Sequence, residues 1–146
     1  GRIFVSCTVA VFLICLVLFQ KDYYTKYAET TNAYFSKGVE DCVAYSLEQC
    51  KTLGLTTISA EKATQWPRLL LYTQTLPSPY LATVTYDVAP APAAFTTADG
   101  IRINTRINYD TISTDGIYII YYTEADLFKD RFTLTTFYDW YVAVPK

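Results

Sequence analysis

Side chains that commonly perform chemistry are scarce in this chain of 146 residues, which contains no histidine. Without histidine there is no Ser-His-Asp triad, no partner for a catalytic cysteine and no imidazole ligand for a metal. The sequence also has no glycine-rich phosphate-binding or dinucleotide-binding motif. We therefore predict that the protein is not an enzyme and that it holds no cofactor.

One segment, 110–116, is rich in the oxygen atoms that calcium prefers as ligands. It begins at Asp110 and ends at Asp115-Gly116, but its acidic residues do not follow the spacing of an EF-hand loop. Asp-Gly is instead a common pair in tight hairpin turns. We therefore predict turn formation here, with Asp115-Gly116 as a hairpin turn, rather than a metal site.

The four cysteines form two pairs with the same separation of eight residues, Cys7/Cys15 and Cys42/Cys50. In a continuous helix this separation places the α-carbons roughly 12 Å apart, beyond the reach of a disulfide. We expect Cys7 and Cys15 to be small apolar side chains of a helix. For Cys42 and Cys50 two outcomes stay open. They pair if the helix breaks between them, and otherwise they are free or bonded elsewhere.

The apolar run Ile3–Phe19 contains no charged residue, proline or glycine. As a helix it would be about 25 Å long, at the short end of a membrane crossing. The chain has no methionine, so we expect that a leader is removed before Gly1. Such a run needs to be buried in lipid, in a partner or among copies of itself.

Beyond Lys21 the pattern becomes amphipathic, with apolar or small residues at steps of three or four. These residues include Tyr24, Tyr27, Tyr34, Cys42 and Tyr45. The sequence thus predicts one long helix over residues 1–54, in which 1–20 is apolar and 21–54 amphipathic. Gly38 is its weak point, where a kink could form, and Gly54 is expected to end it.

Residues 55–146 are predicted to form a β-rich globular domain. Thr56–Lys62 has the composition of a linker, and apolar and polar residues then alternate in several runs. The predicted strands are 68–74, 80–88, 101–109, 117–123 and 132–144. Alternation joined by short turns favours an antiparallel sheet with one wet face.

The clearest alternation lies in 101–109. Its odd positions are mostly apolar, whereas its even positions are Arg102, Asn104, Arg106 and Asn108. We expect the apolar face of the sheet to pack on the second half of the long helix. The helix residues expected at that contact are Tyr24, Tyr27, Tyr34 and Tyr45. The predicted fold class is therefore α+β.

This architecture resembles the type IV pilin superfamily, over the whole chain but without a diagnostic motif. The resemblance implies that a prepilin peptidase removes a short basic leader and that subunits wait in the membrane. Pilus assembly machinery would then pack their helices into a filament core. Bacterial pilins usually begin with an aromatic or Met residue, where this chain has Gly1, and carry Glu at the fifth position, where it has Val5. The C-terminal disulfide loop of many bacterial pilins is also missing, because no cysteine follows Cys50. These departures favour an archaeal or atypical bacterial pilin.

We therefore expect a structural subunit of an extracellular homopolymeric filament that acts in adhesion, surface attachment or motility. The residues expected in the filament core are Ile3, Phe4, Val5, Val9, Phe12, Leu13, Leu16 and Phe19. A net charge of −2 argues against nucleic acid as a partner. One alternative is a single-pass anchored surface protein or minor pilin. Another is a carbohydrate-binding module in which Trp66, Trp140 and tyrosines stack sugars, although core packing explains Trp140 as well.

Overall fold

The computed structural model describes residues 2–22, 37–88 and 91–146. The chain divides into two compact units, Gly1–Ser36 and Lys37–Lys146. The first unit contains helix α1 (Arg2–Asp22), which covers the predicted apolar run. The second unit contains the remaining described helices and all the described strands.

Helix α2 spans Val39–Leu53 and lies between two glycines with left-handed backbone, Gly38 at φ 93° and Gly54 at φ 68°. A right-handed helix cannot continue through a positive φ. The predicted long helix over 1–54 is therefore wrong, because α1 and α2 are separate helices. Gly38 starts a helix rather than kinking one, whereas the predicted helix end at Gly54 is confirmed.

Two short helices, α3 (Trp66–Tyr72) and α4 (Pro77–Thr83), follow later in the chain, and each has a proline in its first turn. Proline fits that position because its missing N–H has no partner there. The strand predicted over 68–74 is therefore wrong. The strand predicted over 80–88 is wrong in its first half.

The seven strands of the sheet lie in the order β2-β3-β4-β1-β5-β7-β6. Their bounds are β1 Thr57–Ala60, β2 Thr85–Val88, β3 Ala91–Thr96, β4 Arg102–Asn104, β5 Ile117–Tyr121, β6 Phe132–Phe137 and β7 Trp140–Pro145. Strand β1 pairs in parallel with both β4 and β5, and the other pairings are antiparallel. The predicted antiparallel sheet is therefore wrong, and so is the linker at 56–62, which contains the central strand.

Two turns also differ from prediction. Asp115-Gly116 does not close a hairpin between β4 and β5, because β1 lies between these strands. The run 132–144 is not one strand, since β6 and β7 pair as a hairpin with Phe137 opposite Trp140. The chain turns at Tyr138, whose φ is 55°.

The main hydrophobic core joins α2 to one face of the sheet. Helix α2 contributes Val39, Cys42, Val43 and Cys50, and the sheet contributes side chains such as Ile58, Ile103, Ile119 and Val142. On the opposite face a second apolar cluster contains Tyr118, Ile120, Phe128, Phe132 and Ala143. That cluster lies over β5, β7 and β6, whereas β1 and β4 present polar side chains to the same face.

Candidate functional site

Helix α1 carries apolar side chains around its whole circumference. Residues 11 to 20 are all exposed, and the exposed fraction is 67% for Phe12, 53% for Leu13, 40% for Leu16 and 66% for Phe19. A helix that is apolar on every side is normally a buried one. Of the other predicted filament-core residues, Ile3, Phe4, Val5 and Val9 lie in the same helix, but their side chains are outside the described ones.

Of the four tyrosines expected between helix and sheet, Tyr45 lies in the described part of the chain. It belongs to α2, and its ring lies 5.5 Å from that of Phe137 on β6. Thr135 Oγ1 donates a hydrogen bond of 3.3 Å to its hydroxyl. Tyr45 therefore contacts the sheet through α2. Tyr24, Tyr27 and Tyr34 lie outside the described residues.

The thiols of α2 are not suited to chemistry. Cys42 and Cys50 are free and buried, with 0% and 1% of their surfaces exposed. Burial, aided by the charge of Asp41, raises the pKa of Cys42 from 9.0 to about 12, and burial raises that of Cys50 to about 11. Both thiols stay protonated near neutral pH and act as core side chains.

The segment 110–116 uses its polar side chains for local structure. Asn108 Oδ1 accepts a hydrogen bond from the backbone N–H of Asp110, and Ser113 Oγ donates to Asp115 Oδ2 at 2.8 Å. Within the described residues, no three His, Cys, Asp or Glu side chains are grouped so that they could hold a metal ion.

The tryptophans differ in their exposure. Trp140 is only 3% exposed, and its ring packs at 5.2 Å against Tyr121, so of the two alternatives for Trp140 the structure favours core packing over sugar stacking. Trp66 is half-buried, and its ring lies nearly parallel to that of Tyr80 with the ring centroids 6.4 Å apart. It borders a cavity of about 340 Å³ together with Lys62 and Arg106.

A groove of about 610 Å³ lies over the polar part of the sheet. Its floor is formed by the adjacent strands β1 and β4, where Ser59 and Asn104 are partners in the parallel register. Asn104 Nδ2 donates to Ser59 Oγ at 3.0 Å, and Arg102 Nε donates to Asn104 Oδ1 at 3.2 Å. These three side chains form one hydrogen-bonded row.

The groove carries local positive charge although the chain is acidic overall. The charged residues that line it are Arg102, Arg106 and Asp115. Among the described residues, Arg106 has no hydrogen-bond or ion-pair partner, and Arg102 donates to Asn104 through its Nε. Asp115 already accepts from Ser113. Guanidinium groups therefore remain available to an anionic ligand.

Sequence reasoning missed this groove although part of its signal was visible. The even-numbered residues Arg102, Asn104, Arg106 and Asn108 all line the groove, and they form the polar side of the alternation in 101–109. That side was interpreted simply as the wet face of the sheet. Ser59 gave no signal, because its partner Asn104 lies 45 positions away in the sequence.

No family model matches the chain, and comparison with curated proteins and with solved structures gives no match. Among the described residues, none of the helices combines the length and the apolar character that a membrane crossing requires. The fold is thus an α+β unit with a mixed sheet, preceded in the chain by an exposed apolar helix.

Proposed function

We propose that the protein is a structural subunit of an extracellular pilus-like filament and that its copies associate through α1. The observation that carries the proposal is the exposure of α1. Side chains such as Phe12, Leu13 and Val17 have 67%, 53% and 63% of their surface exposed. Such a surface needs cover in water, and identical helices on neighbouring subunits provide it.

The magnitude of the effect is sufficient for assembly. Burying an apolar side chain of this size contributes about 1.5–3 kcal/mol, so four such side chains contribute roughly 6–12 kcal/mol per subunit before entropy is subtracted. Repetition of one heterologous contact that does not close on itself produces a helical filament.

The proposal does not depend on the incorrect prediction of one long helix over residues 1–54. It requires only α1 and a separately folded second unit with its own core. The pilin resemblance further implies that the subunit waits in the membrane before assembly machinery adds it to the filament. In the filament the second unit would be exposed, where it could contact cells or surfaces.

The test is a charge placed in α1. Leu13→Asp should abolish filaments in negative-stain images of material sheared from cells, because an unpaired carboxylate cannot be buried between apolar helices. Leu81→Asp is the matched control, since Leu81 lies in the second unit and is 72% exposed. Filaments that persist with Leu13→Asp would contradict the proposal. Detergent-dispersed monomers of the unaltered protein would instead favour a single-pass surface protein.

A further inference from the structure

We propose that the groove over β1 and β4 binds an acidic saccharide, a chain of sugar units that carry carboxylates. This inference goes beyond the filament and does not depend on it, because the site lies entirely within the second unit. Its residues are Ser59, Arg102, Asn104 and Arg106, with Asp115 and Asn108 at the same cavity.

The size and lining of the groove fit a small polar ligand. A volume of about 610 Å³ falls within the range of about 300–1,000 Å³ that is typical of ligand sites. Hydroxyls, side-chain amides and guanidinium groups line much of the groove, and these groups match the hydroxyls and ring oxygens of a sugar. The hydrogen-bonded row from Arg102 through Asn104 to Ser59 holds the donors in fixed positions before a ligand arrives.

The charge of the groove indicates an acidic ligand. Two guanidinium groups and one carboxylate, that of Asp115, line the groove, and Asp115 already accepts a hydrogen bond from Ser113. Arginine binds a carboxylate in a planar, two-pronged geometry that is stronger than a neutral hydrogen bond. Since Arg106 has no partner among the described residues, its guanidinium does not have to break an internal contact to meet a ligand.

The strand pairing makes a peptide a poorer fit than a saccharide. A peptide commonly binds a sheet by adding a strand to a free edge. Strand β4 is paired with β3 and β1, and β1 is paired with β4 and β5. The groove floor therefore has no free edge, and recognition falls to the polar side chains.

The experiment uses the full chain in detergent micelles and isothermal titration calorimetry. The probes are trigalacturonate, its fully methyl-esterified form and tri-aspartate. The ester keeps the sugar units but removes their charge, whereas tri-aspartate carries carboxylates on a peptide. We expect saturable binding of trigalacturonate, and at least about tenfold weaker binding of the uncharged ester, because a charge-assisted hydrogen bond is roughly twice as strong as a neutral one. Tri-aspartate should bind more weakly than trigalacturonate.

Single variants then assign the site. Arg106→Gln should lower the affinity for trigalacturonate by about tenfold, and it should fold normally because Arg106 is exposed. Asn104→Ala should weaken the binding of both saccharides. Lys51→Gln is the control, since it removes one positive charge on α2, which packs on the opposite face of the sheet.

Four results would overturn the assignment. The first is no binding of trigalacturonate, and the second is equal binding of the acid and its ester. The third is equal binding of tri-aspartate, which would indicate an acidic peptide. The fourth is an equal loss for Lys51→Gln and Arg106→Gln, which would indicate diffuse electrostatic attraction. None of these results bears on filament formation, which is tested separately through α1.

Discussion

Asn104 and Ser59 are register partners on the parallel strands β4 and β1, and Asn104 Nδ2 donates a hydrogen bond of 3.0 Å to Ser59 Oγ. The two residues are 45 positions apart in the sequence. Their bond joins the central strand of the sheet to its neighbour and lies in the floor of the groove. It thus links the parallel topology directly to the candidate ligand site.

A double-mutant cycle measures this link. Asn104→Ala and Ser59→Ala should each destabilise the second unit, and the two together should cost less than their sum. We expect a coupling energy of about 0.5–1.5 kcal/mol, the net value of one hydrogen bond. Urea unfolding followed by tryptophan fluorescence measures it, since both tryptophans lie in the second unit. A coupling of zero would mean that the bond does not form in solution.

Gly38→Ala tests whether the helix is continuous or begins at Val39. At φ 93°, an added Cβ would lie 2.8 Å from the carbonyl oxygen of Phe137. We expect a loss of about 1–2 kcal/mol from the backbone conformation and roughly 1–3 kcal/mol more from the close contact. In a continuous helix the same change would stabilise by about 1 kcal/mol. The sign of the change in unfolding free energy therefore decides between the two structures.

Gly100→Ala is the matched control for that measurement. Gly100 also has a positive φ, 79°, but an added Cβ would meet nothing within 4 Å. Gly100→Ala should therefore lower the free energy of unfolding only by the part that comes from the backbone conformation, about 1–2 kcal/mol. Equal effects of Gly38→Ala and Gly100→Ala would contradict the contact between Gly38 and the β6–β7 turn.

The stability of the second unit should fall at alkaline pH because of its buried thiols. Burial raises the pKa of Cys50 from 9.0 to about 11, so the unfolded chain loses this proton at a lower pH than the folded one. The contribution of the Cys50 thiol to the free energy of unfolding is therefore complete below pH 9. It is lost between pH 9 and 11, by up to about 1.4 kcal/mol per pH unit. Cys42 acts in the same direction, over a range that extends to about pH 12.

Unfolding measured in urea between pH 8 and 11 checks this dependence. Cys50→Ala should reduce the slope of stability against pH, because it removes a thiol whose pKa burial raises. If Cys50→Ala leaves the slope unaltered, the thiol of Cys50 is not buried in its protonated form.

The two tryptophans should differ in their access to solvent. Trp140 is 3% exposed, whereas Trp66 is half-buried at a cavity. In Trp66→Phe the remaining Trp140 should emit at short wavelength and resist quenching by acrylamide. In Trp140→Phe the remaining Trp66 should be quenched more strongly. The opposite order would restore Trp140 as a candidate for sugar stacking.

The sequence predicted those features that depend on local patterns. The alternation in 101–109 placed Ile101 and Ile103 inside and Arg102 and Arg106 outside, and their burial agrees, although the strand predicted over 101–109 is limited to Arg102–Asn104. Gly54 ended its helix as expected. Alternation misled at 80–88, because prolines at the start of α4 favour a helical turn whatever the pattern that follows.

The features that failed depend on contacts between distant residues. Residues 56–62 were predicted to be a linker on composition, yet they contain the central strand β1, in which the Ser59 hydroxyl accepts a hydrogen bond from Asn104. Gly38 was expected to be a weak point because glycine is unfavourable inside a helix, whereas in the structure it has a positive φ and lies close to Phe137. No pattern near either residue reports such partners. For the same reason the groove could not be located before the strand order was known.

The most direct test of the filament proposal uses Cys15, an exposed thiol of α1. In a Cys7→Ser variant, a short bismaleimide should join Cys15 of neighbouring subunits, while Cys42 and Cys50 stay unreactive because they are buried. We expect cross-linked dimers in material sheared from cells, and none after Cys15→Ser is added. Only monomers in the Cys7→Ser sample, with Cys15 labelled by a monofunctional maleimide, would contradict the packing of α1 against copies of itself.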